Sequence, residues 1–506
     1  MTTKRYRPWA PDQAYLIPPT PRDWLPESHL AYFILDVVDE LDLSEIEAAI
    51  QERDPRGTQP YDPRMMTALL LYSYSVGLFS SRRMARATFE DVAVRFIVAD
   101  QHPHFTRIAA FRRDHLSALS KLFVQAVRLC AEAGLVKLGH VSIDGTKIRA
   151  NASKHKAMSY DRMKREEQRL QDEIAALLAR AEAEDREEDA RYGQQSDGNE
   201  VPEELRRRES RLARIREAKA ALEQEAKAAR AAKLREQQAQ NEERAESAPD
   251  EQARKAAATR ARKQAAAAAE LEEGAESEED DPPDDTSPPG LPLHRPAAET
   301  NGTPKPKAQR NFTDPDSRIM RDGDKAFVQA YNAQAVVDDA HQVIVAAAVS
   351  NQPPDTEYLV PVVDQVEDIV GARPDCLTAD AGYWSPENAA WCEQNGIDAY
   401  IAVQRQRHGP APPDPDESAG TPPPKTPKQE MAEKLRTEKG REMYRKRKFT
   451  PEPVFGQIKE ARGFRRFMLR GLDAVQREWA LVCATHNLLK LYRACPGGKL
   501  ALTVAG

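Results

Sequence analysis

One isolated acid inside an apolar strand constrains this chain more than any other feature. The stretch Val141-Ser-Ile-Asp144-Gly-Thr-Lys-Ile-Arg-Ala-Asn151 carries β-branched Val141, Ile143 and Ile148, and Gly145 directly follows the acid. A carboxylate on a strand, next to a glycine, can reach a cleft where a metal or a substrate backbone comes close. The same letters fit a surface hairpin with Asp144-Gly145 as its turn. Two more isolated acids far downstream, each at the end of a regular element, weigh against the turn.

Downstream of residue 311 strands and helices alternate. Residues 326–337 and 342–349 read as two strands of a hairpin joined at Asp338-Asp339. A helix from Asp355 or Thr356 turns Leu359, Val362, Val363, Val366 and Ile369 inward and closes at Gly371. Residues 376–380 form a short buried strand, Ser385-Pro386 opens another helix, and residues 398–403 form a further strand. A hairpin followed by alternation predicts an α/β fold, a mixed sheet with helices on its faces.

The rest of the chain divides by composition. Residues 1–60 are a Pro-rich extended arm and an acidic amphipathic helix near 29–52. Residues 61–138 look wholly helical: an apolar helix ending at Gly77, a second capped by Ser80 or Ser81, and a third capped by Thr106. That third helix exposes Arg107, Arg112, Arg113 and His115, which suits a helix-turn-helix DNA-binding domain and equally an ordinary bundle with basic edges. The first piece of the sheet, 139–157, is then interrupted. Leu170, Ile174 and Leu177 have helical spacing, and Leu205, Leu212, Ile215 and Leu222 fit a heptad with Lys219 on one core position. Residues 158–242 therefore read as an antiparallel helical hairpin or coiled coil. Residues 243–310 have no periodicity and read as a disordered acidic, Pro-rich linker. The sheet pattern resumes over 311–403, a second Pro-rich linker covers 404–433, and 434–495 are a basic region with C-terminal helices.

The net charge of −7 conceals its distribution. Residues 270–286 hold ten acids and no base, and without them the −7 becomes +3. Residues 61–155 carry 14 Lys/Arg against 7 Asp/Glu, and residues 434–470 carry 13 against 4. Two basic zones flanking the acids suggest a polyanion partner, although a basic helix is also an ordinary solvated face. The five cysteines include no Cys-x-x-Cys pair and read as reduced thiols of a cytoplasmic protein. No apolar run reaches the roughly 18 residues of a membrane helix, and residues 1–11 lack an apolar signal core.

Three acids stand out by position. Asp144 lies within its strand, and Asp380 ends the strand Cys-Leu-Thr-Ala-Asp380, where ligands sit in such sheets. Glu452 falls in the first turn of a helix that Thr450 can cap, that Pro451 can begin, and whose entry Phe449 can staple to Val454. Blander readings are a loop cap for Asp380 and the usual preference of acids for helix starts for Glu452. Three carboxylates from separated segments would repel one another unless a cation joined them. Oxygen ligands suit Mg²⁺ or Mn²⁺, and two such ions can clamp the attacking and leaving oxygens of a phosphoryl displacement.

At these residues the chain resembles a bacterial insertion-sequence transposase of the DDE type with an RNase H-like catalytic core. The resemblance rests on Ile143-Asp144-Gly-Thr-Lys-Ile-Arg-Ala-Asn151, Leu377-Thr-Ala-Asp380-Ala-Gly-Tyr383, Glu452-Pro-Val-Phe-Gly-Gln-Ile-Lys459, Gly463-Phe-Arg-Arg466 and Thr485-His-Asn-Leu-Leu-Lys490. It is similar to the insertion-element family numbered eleven eighty-two. That family's pattern around the glutamate is Tyr-x2-Arg-x3-Glu-x6-Lys. Lys459 fits it, whereas Tyr444 and Arg447 lie one residue too far upstream and Lys448 takes the arginine position.

The resemblance implies a Mg²⁺- or Mn²⁺-dependent enzyme that cuts at inverted-repeat ends of its element and joins the freed 3′-hydroxyls to target DNA. Asp144, Asp380 and Glu452 are then the catalytic metal ligands. Lys459, Arg447, Lys448, Arg465, Arg466, Arg112 and Arg113 are the candidate DNA contacts. The expected partners are double-stranded DNA and a second copy of the chain on that DNA, with the protein in the cytoplasm and at the nucleoid. Rival readings are a metal-dependent nuclease without strand transfer and an inactive DNA-binding or scaffold protein.

Overall fold

A computed structural model of the chain describes residues 21–52, 59–192, 203–248, 250–272, 291–323, 325–404, 425–498 and 500. Its centre is a mixed sheet built on β1 (Val141–Arg149). Two strands, β2 (Ala157–Ser159) and β3 (Gln309–Asn311), form a separate ribbon. The remaining strands are β4 (Arg318–Arg321), β5 (Phe327–Asp338), β6 (Ile344–Ser350), β7 (Cys376–Ala379) and β8 (Asp398–Ile401). β5 lies antiparallel to β1 on one side, and its far edge is shared by β4 and β6. β7 lies parallel to β1 on the other side and β8 parallel to β7. The order β6-β5-β1-β7-β8, with only β5 running against the others, is an RNase H-like sheet.

The sequence explains which strands are central. β6 (Ile-Val-Ala-Ala-Ala-Val-Ser) and β5 from Gln329 onward are buried at every position, so neither face is left to water. The helix Leu472–Ala494 packs on β6 and on the helix Leu116–Glu132. Asn487 fixes it in place: its amide oxygen accepts from the Ile344 N–H at 2.8 Å and its NH₂ donates to the Ile344 carbonyl at 2.8 Å. His486 meets the Gln342 carbonyl at 3.0 Å, and Thr485 accepts from buried Arg462 at 2.8 Å. The His-Asn part of the last motif is thus a clamp between helix and sheet, while its Thr holds Arg462.

One buried apolar cluster runs from Ala31 to Leu491, so the N-terminal helices and the sheet share a core. The region near 29–52 is two helices, Leu30–Glu40 and Ser44–Gln51. The third basic helix, Phe105–Asp114, is capped by the His104 imidazole, which accepts from the Thr106 N–H; Thr106 itself is not the cap.

The insertion holds the long helices Tyr160–Tyr192 and Glu203–Ser247, packed against each other through Met163, Leu170, Leu212 and Ile215. Lys219 does not enter that seam. It reaches Glu167 at 2.9 Å, and its neighbour Ala218 is buried instead. Residues 243–310 are not wholly irregular, as composition suggested. Helix Glu251–Glu272 lies along Glu203–Ser247 and buries Ala257, Ala261 and Ala268. Small alanines allow two helices to approach closely, which periodicity of large apolar residues does not reveal. Most of the acidic run, and most of the second Pro-rich linker, lie outside the described residues. Ion pairs from Glu225 to Arg310 and to Arg318 tie the insertion to the sheet domain.

Candidate active site

The parallel register pairs Val141 with Leu377 and Ser142 with Thr378. Continued by two residues, it sets Asp380 level with Asp144, at the point where β7 ends and β1 goes on. Gly382 lets the loop after β7 wrap the carboxylate: its N–H donates to Asp380 Oδ1 at 2.7 Å, and a Cβ there would lie 2.9 Å from the same oxygen. Gly145 has an equally local reason. It faces Gln334 across the β1–β5 pair, and a Cβ would lie 2.4 Å from Gln334 Nε2.

Arg447 stands between the two aspartates. Its Nη2 is 2.9 Å from Asp144 Oδ1 and 3.7 Å from Asp380 Oδ2. Burial pushes the Asp144 carboxyl up to about 6; Arg447 opposes that rise and Asp380 adds to it. Burial disfavours the Arg447 charge, but Asp144 and Asp380 outweigh it and hold its pKa above the ordinary value. Arg447 Nε is buried with no hydrogen-bond partner, so charge attraction more than a saturated bond network holds the guanidinium. The carboxylate pair therefore already gathers one positive charge.

Hydrogen bonds centred on Asp355 lie beside the pair and were not legible in the sequence. Asp355 Oδ1 accepts from Lys147 Nζ at 3.1 Å, Asn332 Nδ2 at 2.7 Å and Gln334 Nε2 at 2.9 Å. Buried Tyr383 donates to Gln334 Oε1. Burial lowers the Lys147 pKa, against the pull of Asp355. The helix-start signal had drawn attention to Asp355 only as a cap, which it does not provide.

Of the three expected acids the structure joins two. Glu452 is exposed in the first turn of the short helix Pro451–Gly456. Among the described residues no group of three or more His, Cys, Asp or Glu is placed to hold a metal ion. The expected cap and staple are not formed: Thr450 Oγ1 donates back to the Lys446 carbonyl at 2.9 Å, and Phe449 is 67% exposed while Val454 is buried. The α-helix then passes into a π turn over Gln457–Ala461. A π turn adds a residue to the ladder and is common at functional sites. Here it accompanies Lys459 Nζ lying 3.0 Å from Thr146 Oγ1, two residues from Asp144 on the same face of β1.

The expected DNA contacts separate by burial. Lys448, Arg465, Arg466 and Arg113 are exposed, with Arg465 paired to Glu460 and Arg113 to Asp114. Arg112 is not a surface contact: it is 7% exposed and donates to Tyr74 Oη at 2.9 Å and to the Phe79 carbonyl at 3.0 Å. Tyr74 in turn donates to buried Glu478 at 3.0 Å. The amphipathic count that exposed Arg112 missed a buried acid more than three hundred residues away that balances its charge.

Residues 299–488 match the family described as Transposase DDE domain, and residues 19–114 match the family described as Transposase domain (DUF772). The chain belongs to the insertion-sequence DDE transposases. The DDE match holds Asp380 and Glu452 and begins near the end of the insertion, so Asp144 lies outside both matched segments. No curated protein and no solved structure matches. DDE transposases act on DNA and generally use divalent metal ions. No helix among the described residues of the transposase is long and apolar enough to cross a membrane.

Proposed function

We propose that the transposase cleaves DNA at the inverted-repeat ends of its element and transfers the freed 3′-hydroxyls to target DNA. The observation that carries this reading is the pair Asp144 and Asp380, turned onto one cation position that Arg447 fills. Two carboxylates that gather a guanidinium fit a divalent ion by the same charge logic, and their oxygens suit Mg²⁺ or Mn²⁺. Asp144 and Asp380 would hold the ions, and Glu452, exposed at a helix start nearby in sequence to Arg447, would complete the set. A bound metal pair would polarise the scissile phosphate and stabilise both its attacking and leaving oxygens.

The chain's own residues supply the rest. Asp144 must lose its proton to act as a ligand, which its raised pKa makes pH-dependent. Lys459, beside Thr146 on the strand of Asp144, would hold a DNA phosphate next to the reacting one. Lys448, Arg465, Arg466 and Arg113 would contact further phosphates and fix the register of the duplex. Two ends must be brought together, so we propose a homodimer on DNA. The domain limits read from the sequence are part of the same proposal, with residues 139–157, 311–403 and 434–495 forming the catalytic unit.

The test uses the purified full chain and a duplex bearing the element's terminal repeat. Glu452→Gln should bind this DNA nearly as the wild type does and lose metal-dependent cleavage, whereas Glu460→Gln should cleave. Lys459→Ala should bind more weakly and retain slow cleavage at saturating DNA. Joined product from a supplied 3′-hydroxyl end supports transfer. Hydrolysis alone would leave a nuclease, and an active Glu452→Gln with a dead Glu460→Gln would overturn the choice of glutamate.

A further inference from the structure

The insertion does more than separate two halves of a sheet. A cleft of about 970 Å³ lies between the helix Glu203–Ser247, the start of the helix Tyr160–Tyr192 and the β2–β3 ribbon. Its floor is apolar, with Met158, Ile215 and Phe312. Its rim is basic: Lys156, Arg162, Arg211, Arg214 and Arg310 line it together with His155, and Glu217 is the only acid among the described lining residues. Two of these cations are committed, since Arg310 pairs with Glu225 and Arg211 lies 3.4 Å from Glu166. Lys156, Arg162 and Arg214 are exposed and have no acid within ion-pair distance among the described residues.

The charge continues along the helix. Arg207, Arg211 and Arg214 recur at four and three residues and so share one face. From first to last they span about 10.5 Å of helix. Duplex DNA presents about six phosphate charges over that length. An apolar floor beneath Lys156, Arg162 and Arg214, with Arg207 and Arg211 of the same row paired to Glu203 and Glu166, suits a sugar-phosphate backbone, with sugars on the floor and phosphates at the rim. The cleft also has a position relative to the carboxylates. His155 and Lys156 lie in the short turn Lys154–Lys156 a few residues after β1, and the last residue of β1, Arg149, bridges to Arg466. One end of the basic rim, His155 and Lys156, is therefore joined by a short stretch of chain to the strand that bears Asp144.

We propose that this cleft of the insertion is a second DNA-binding surface, holding the backbone of the duplex on which the carboxylate site acts. The proposal rests on the reading of that site as a DNA-cutting one. It makes the insertion a binding arm that lengthens the protein's footprint beyond the catalytic core without reading bases.

Anisotropy titrations of a random-sequence duplex DNA with the full chain, over a series of salt concentrations, test it. Each phosphate contact removed lowers the log–log salt slope by about 0.9. Lys156→Ala/Arg162→Ala/Arg214→Ala should lower it by about 2.7 and weaken binding at least about tenfold at moderate salt. Glu217→Lys should tighten binding and steepen the slope by about 0.9. Arg216→Ala, whose side chain pairs with Glu167 away from the cleft, should match the wild type. A wild-type slope in the triple variant overturns the cleft and leaves the carboxylate reading standing, because core contacts still bind. Should the triple variant lose its melting transition, Glu217→Lys decides alone: an unchanged slope there overturns the proposal. A wild-type chain that binds DNA with no salt dependence removes both readings.

Discussion

Replacing Arg112 by Met separates a structural role from a DNA contact. The guanidinium gives hydrogen bonds of 2.9 and 3.0 Å to Tyr74 and to the Phe79 carbonyl, and its charge balances Glu478, which is fully buried. Burial raises the Glu478 pKa and Arg112 pulls it back, so without the arginine a buried carboxylate is left with less compensation. Breaking a buried charge pair from one side costs about 3–5 kcal/mol. In a domain of this size about 2 °C of melting temperature accompanies each kcal/mol, which gives a drop of roughly 6–10 °C. Differential scanning calorimetry should record that drop in Arg112→Met. Adding Glu478→Gln should recover about half of it or more, because neither charge then remains buried alone. The DNA salt slope should stay at the wild-type value. A melting temperature within about 1 °C of wild type, with a slope lowered by about 0.9, would refute the buried-network argument and return Arg112 to the surface.

Other perturbations probe the carboxylate pair. Arg447→Ala removes the cation between Asp144 and Asp380, so the DNA-free chain should bind Mn²⁺ more tightly, measured by calorimetry; unchanged affinity would mean that this pair does not hold the ion. Because the Asp144 carboxyl is pushed up to about 6, it is protonated below that pH and must ionise to bind metal. Mn²⁺ affinity of the wild type should therefore rise between about pH 5 and about pH 7, and a flat profile would contradict the raised pKa. Gly145→Ala should destabilise by about 1–3 kcal/mol through the clash with Gln334, read by thermal unfolding. Gln334→Ala in the same chain should relieve the clash; a Gly145→Ala protein as stable as wild type would show that Gln334 can move aside freely.

Much of the sheet was readable because its strands obey local rules. Alternating or continuous β-branched runs gave β1, β5, β6, β7 and β8 nearly at their observed limits, and Gly371 and Ser385-Pro386 marked helix ends by their own backbone chemistry. Asp144 and Asp380 could be paired in advance because both sit where a strand meets a cleft. What stayed hidden depends on distant partners. Nothing near Arg112 announces Glu478, and nothing near Asp355 announces Lys147, Asn332 and Gln334. The alanine-rich helix Glu251–Glu272 was missed because its buried face is small residues rather than large ones. The resemblance puts Arg447 among the candidate DNA contacts, whereas in the fold its guanidinium lies against Asp144 and Asp380.

The separation of β1 from β5 has a consequence for how the protein comes to exist. These two strands pair along nine residues at the heart of the sheet, yet the insertion lies between them in the chain. On the ribosome β1 emerges long before its partner and must wait, an exposed apolar strand edge. The β2–β3 ribbon closes a stretch of about 150 residues within the insertion, from Ala157 to Asn311. Once that ribbon has formed, the two ends of the segment are held side by side, and most of the loop-closure entropy of joining β1 to β5 has already been met. Long-range strand pairing is slow in proportion to such separations. Forming the ribbon first would leave the Asp144–Asp380 pair to assemble only after β5 and β7 have been made.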